Sequence, residues 1–147
     1  MYNRKIKFRV YDRCHKTCHI VGSDHHDCMH CDHSDNEVFY YNLQNGEGSI
    51  TYDESISEYQ GGYILMQYTG MEDKNRTEIY EGDIVFFDNG QQVFYIGFVM
   101  GQWSLCRHLE DPEKDYFNLA LYTKFNKVLS IIGNIHENPE LLMENRT

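Results

Sequence analysis

The sequence predicts a mainly β chain: a small, partly open β-barrel, SH3-like or similar, with N-terminal strands and a short C-terminal α-helix. Three observations lead there. Tyr and Phe are abundant, 12 and 8 among 147 residues, while alanine occurs once, at Ala120. Aromatic side chains fit a pleated surface and Ala is the best helix former, so that balance favours strands. Apolar runs are short and are separated by turn signals such as Asn45-Gly46 and Asn89-Gly90.

Taken in order, Ile6, Phe8 and Val10 alternate with Lys5, Lys7 and Arg9, the period of a half-buried strand. Residues 14–36 are almost free of large apolar groups and read as a loop or a separate mini-module. Residues 37–43 form a second strand, closed by Asn45-Gly46. A short strand is expected around Ile50–Tyr52, and an extended segment over Tyr63–Tyr68 leads to a polar turn at Met71–Thr77. Ile84–Phe87 and Val93–Phe98, joined through Asn89-Gly90, make the clearest hairpin, because Asn-Gly tolerates the positive φ that a tight turn demands. A turn at Gly101-Gln102 leads into Trp103–Leu105, and apolar segments follow at Leu119–Tyr122 and Val128–Ile135. The helix comes last, with Asn138 as N-cap, Pro139 at its first position and Glu140 next to the positive terminus. Leu141, Leu142 and Met143 are expected to dock it.

Three stretches carry a family likeness: KFRVYD at 7–12, LMQYTGMEDKNRTEIYEGDIV at 65–85 and VLSIIGNIHENPELL at 128–142. In sequence and order they resemble the YopX-like proteins of phages and prophages. The resemblance implies an accessory protein whose biochemical role is unassigned, and it transfers no catalytic residues. Arg76 follows Asn75 where the family commonly has Gly, so a different turn type is expected there. Residues 14–36 do not share the likeness. The expected organisation is therefore a single YopX-like domain over 1–147 with a Cys/His-rich insertion at about 14–36.

That segment holds the strongest chemical signal. Cys14, His15, Cys18, His19, His25, His26, Cys28, His30, Cys31 and His33 crowd into twenty positions. A tetrahedral zinc ion takes four sulfur or nitrogen ligands, and two residues spaced by two to four positions can grip it from one turn. The pairs Cys14/Cys18 and Cys28/Cys31 supply four thiolates for a structural zinc. His25, His26, His30 and His33 are alternative donors for one position, and a solvated polar loop or a Cys28/Cys31 redox pair are the competing readings.

Charge and motif content narrow the function. The net charge is −10, distributed as six basic side chains against one acid in residues 1–16 and seven against 22 afterwards. Tight nucleic-acid binding rests on Lys and Arg neutralising phosphates, so direct binding is not expected. No Gly-rich phosphate loop occurs, and Ser104, Ser130 and His108 lack the context of a nucleophile. In Glu81-Gly82-Asp83, Gly82 is read as a turn and Asp83 as capping the strand that follows. Trp103 is read as core and His136 as surface. The longest apolar stretch, Val93–Met100, falls far short of the roughly 18 residues of a spanning helix. No membrane association is expected, and the host cytoplasm is the expected compartment. The reading is a non-enzymatic module that binds a macromolecule, a protein first, with self-association left open. The alternatives are an acidic DNA-mimic or decoy for a host nucleic-acid-binding protein and, weakest, a metal-dependent hydrolase.

Overall fold

The computed structural model describes residues 3–13, 15–34, 37–43, 63–123 and 127–143. The expected strand at Ile50–Tyr52 and the turn at Asn45-Gly46 lie outside the described residues. The fold is mainly β, as predicted, and includes a curled half-barrel sheet and short helices. It divides into two compact units, Met1–Ile6 with Tyr68–Thr147, and Lys7–Gln67. They are called here the sheet unit and the Cys/His unit.

The Cys/His unit contains β1 (Phe8–Asp12), β2 (Thr17–Ile20), β3 (Asp27–Asp32), β4 (Glu37–Asn42) and the first half of β5 (Tyr63–Glu72). Strand β1 pairs antiparallel with β2 on one side and β5 on the other, and β3 pairs antiparallel with β4. The N-terminal alternation is therefore displaced from its expected place. The strand begins at Phe8, Val10 and Tyr11 are its buried residues, and Ile6 is 66% exposed. A larger difference concerns residues 14–36, which supply two strands, β2 and β3, where a loop or mini-module was read. Polar residues can occupy a strand when backbone pairing and cross-strand partners satisfy them. Periodicity sees only apolar alternation, so it passed over both strands.

The sheet unit contains the end of β5, then β6 (Glu78–Tyr80), β7 (Asp83–Phe87), β8 (Gln92–Val99), β9 (Gln102–Cys106), a 3₁₀ turn at Pro112–Lys114, β10 (Tyr116–Asn118), α1 (Leu119–Thr123), β11 (Leu129–Asn134) and α2 (Glu140–Met143). Its five-stranded sheet has the order β10-β9-β8-β7-β11, antiparallel throughout. Period-2 alternation sends β8 into two cores. Phe94 and Ile96 join Ile79, Val85, Leu105, Leu119 and Leu129 in one, while Tyr95 and Val99 join Ile84, Cys106 and Leu142 in the other. Burying each such aliphatic side chain is worth about 1.5–3 kcal/mol.

Turn chemistry departs from the sequence reading at two places. At the β7–β8 hairpin neither Asn89 nor Gly90 has positive φ; Gln91 does, at 48°. Gly90 serves closeness instead, since a Cβ there would stand 3.1 Å from the Phe87 ring. Arg76 keeps φ 63°, the left-handed conformation that a glycine would serve. The Asp73 carboxylate enforces it by accepting the N–H groups of Asn75 and Thr77 at 2.8 and 2.9 Å.

Of the remaining readings, most hold and two are corrected, those of Met143 and Asn138. Gly82 turns with φ 80°, and the buried Asp83 accepts the Tyr80 N–H at 2.8 Å. Leu142 is buried in the second core and Leu141 packs beside it, whereas Met143 is exposed. Asn138 acts differently from an N-cap: its Oδ1 accepts the Asn134 N–H at 3.3 Å, tying the chain before α2 back to β11. Trp103 is partly buried against the first core, as read.

Candidate metal centre in the Cys/His unit

Strand geometry distributes the expected ligands over different faces. Cys14 lies outside the described residues. Cys18, on β2, stands opposite Tyr11 of β1, so it faces away from its neighbour His19, which stands opposite Val10. Cys28 and Cys31 are three apart on β3, and odd spacing on a strand sends two side chains to opposite faces. Cys28 shares a face and a hydrogen bond with Tyr41 across the hairpin, while Cys31 is opposite Val38 and exposed. Cys28 and Cys31 are not joined to each other by a disulfide. The structure thus does not bring Cys28 and Cys31 to one point, because a Cys-x2-Cys pair converges from a turn and not from an extended strand.

What it does bring together is built on carboxylates. Asp27 opens β3 with its side chain 1% exposed. Its Oδ1 accepts the Tyr40 hydroxyl and lies 3.0 Å from His19 Nε2, while its Oδ2 accepts the N–H groups of Gly22 at 2.8 Å and Asp24 at 3.2 Å. Burial alone would raise this carboxyl's pKa, but the bonds from Tyr40, His19, Gly22 and Asp24 outweigh it and leave it below the ordinary value. Burial, and next the Asp27 bond, push the Tyr40 hydroxyl upward. Gly22 makes the approach possible with φ 93°.

Asp24 forms the second tier. Its Oδ1 accepts the His26 N–H and meets His26 Nδ1, both at 2.9 Å, and Asn42 donates to its Oδ2 at 3.3 Å. The His26 backbone bond, then the Asn42 side chain, hold this carboxyl down at about 2. The His25 ring lies 3.8 Å from the His26 ring, centroid to centroid, and its Nδ1 is 3.8 Å from the same Asp24 oxygen. One donor atom from each of Asp24, His25 and His26 falls within 4.8 Å of the others. The sequence reading held the two histidines as alternative donors and gave Asp24 and Asp27 no ligand role. The missed signal is Gly22 followed by Asp24-x-x-Asp27 directly ahead of a strand, a side-chain-to-backbone turn pattern.

A model of the YopX protein family matches residues 7–143, a span that includes 14–36. The chain belongs to the YopX family. Two solved structures are similar to it in fold. Protein EF1440 from Enterococcus faecalis aligns at TM-score 0.55 and 23% identity, covering 95% of this chain and 99% of that one. The yopX protein from Bacillus subtilis aligns at TM-score 0.55 and 16% identity, covering 92% and 95%. No curated protein matches.

Elsewhere, the groups set aside in the sequence stand in structural positions. Ser104 is buried and donates to Gln102 O at 3.3 Å, and the carbonyl of His108 accepts the Tyr95 hydroxyl at 2.9 Å. Cys106 is fully buried, and burial pushes its thiol up to about 11, which keeps it protonated and unreactive at neutral pH. Among the described residues, no helix is long and apolar enough to cross a membrane.

Proposed function

We propose that this YopX-family chain is a non-enzymatic accessory module of a phage or prophage that binds a protein of its host or phage, and that zinc stabilises its 14–36 segment. The binding reading rests on an apolar rim in the sheet unit. Phe98 is 59% and Met100 71% exposed, and Phe98 meets the partly buried Trp103 edge to face with centroids 5.0 Å apart. Met100 and Gly101 form a two-residue turn in which both have positive φ, 50° and 78°. Asn-Gly suits such a turn, and the left-handed backbone costs a residue like Met roughly 1–2 kcal/mol. Aromatic and Met side chains gathered in this way are the types enriched at protein interfaces. The net charge of −10 works against a polyanionic partner.

The test is a photo-crosslinking residue at Met100 in cells that carry the phage genes. A discrete protein adduct that disappears with Phe98→Asp is the expected result. An adduct pattern shared with a crosslinker at Asn75, or one indifferent to Phe98→Asp, contradicts the reading. The zinc reading rests on composition, since four of five Cys and six of eight His fall within residues 14–33. Elemental analysis should find one zinc per chain, and protein that neither retains nor takes up zinc contradicts it.

A further inference from the structure

We infer that the metal donors of this unit are Asp24, His25 and His26, which bind one divalent zinc ion at the connection between β2 and β3. This rests on the zinc reading above and replaces the thiolates with a different set of ligands. Two imidazole nitrogens and a carboxylate oxygen are a recognised zinc donor set, leaving one tetrahedral position for water. The donor atoms already lie within 4.8 Å of one another. Bond lengths of about 2.0–2.2 Å imply ligands roughly 3.3 Å apart, so the site has only a short distance to close. His25 makes that adjustment: its side chain is 87% exposed, and its Nδ1 already lies 3.8 Å from Asp24 Oδ1.

The other two donors are fixed by their surroundings. Asn42 holds the remaining oxygen of Asp24, and the Asp24 N–H is bound to Asp27 Oδ2. The Asp24 carbonyl accepts the Asp27 N–H at 3.0 Å, and the His26 carbonyl accepts the Leu43 N–H at 3.0 Å. The turn is therefore pinned on both sides before any ion arrives. Such outer partners orient metal ligands and limit the freedom lost on binding. A bound ion would take His26 Nδ1 and Asp24 Oδ1, now 2.9 Å apart, as two of its ligands. The β3 thiols lack this convergence, for the reason of strand alternation already given.

The experiment is calorimetric titration of the full, chelator-stripped chain with Zn2+. We expect one equivalent, with affinity at least tenfold weaker in His25→Ala, His26→Ala and Asp24→Asn. A Cys18→Ser/Cys28→Ser/Cys31→Ser variant should bind as the parent does. His25→Ala removes an exposed ring that touches only its neighbours in the turn, His26 and Asp24, so it separates ligand loss from misfolding. Zinc retained by a His25→Ala/His26→Ala variant and lost by the cysteine variant would overturn this inference while leaving the zinc reading intact. No uptake by the parent chain would overturn both.

Discussion

In the sheet unit, Ile79, Val85, Ile96, Leu105, Leu119 and Leu129 fill one core with aliphatic side chains that make no polar demands. In the Cys/His unit the deepest apolar side chains are Val10, Tyr40 and Met66, and Tyr40 meets a carboxylate, Asp27, that collects a phenol, an imidazole and two backbone N–H groups. The first interior is non-directional and tolerates substitutions that conserve volume. The second is directional: satisfied, it specifies one arrangement, and with a member missing it leaves buried polar groups without partners. Conservative changes should therefore have opposite rankings in the two units, mild among the aliphatics and severe in the polar network.

The largest expected effect is at Asp27. Asp27→Ala strands four donors, and removing a charged, buried hydrogen-bonding partner costs about 3 kcal/mol or more. Amide exchange in β3 and β4 should accelerate strongly while β7 to β9 keep their protection. Uniform acceleration in both units would break the comparison.

Leu142→Ala comes next, at about 2–3 kcal/mol, the low end for a buried leucine because the site lies at the margin of the second core. Leu141→Ala should cost less, and Met143→Ala should stay within about 0.5 kcal/mol. Urea midpoints give the order, and equal values for Leu142 and Met143 would show that α2 does not dock through Leu142.

The thiols give a smaller effect, with a clear sign. Cys106 has its pKa raised to about 11 from 9.0, so its contribution to stability is complete below pH 9 and is lost as pH rises through about 11. Alkylation at pH 8 should label the exposed Cys31 quickly and Cys106 only after unfolding. Rapid labelling of Cys106 in native protein would remove it from the core. The smallest change is Phe98→Asp, within about 0.5 kcal/mol, since Phe98 serves the surface more than the core.

The sheet unit was legible because its strands advertise themselves. Ile84–Phe87 and Val93–Phe98 are apolar, bounded by turn residues, and their cores need only shape and alternation. The hairpin turn was less legible, because Gln91 takes the left-handed position while Gly90 admits the Phe87 ring. Strand β10 is only three residues long and α1 only five, too short for a periodic signal. The Cys/His unit was hardest to read. Ligand spacing assumes a turn, and whether Cys28 and Cys31 share a turn or a strand depends on the pairing of residues 27–32 with 37–42. Asp24 and Asp27 show their meaning only once Gly22, Tyr40 and Asn42 are placed around them.

Strands β2 and β3 are each paired, and Asp27 organises the turn between them, before any metal binds. Amide hydrogen exchange on zinc-free protein tests it most directly. Protection is expected at Val21, whose N–H is held by Phe8 O at 2.9 Å, at Leu43, held by His26 O at 3.0 Å, and at Gly22, held by the Asp27 carboxylate. Exchange at all three at the rate of an open chain, with protection appearing only when zinc is added, would contradict it.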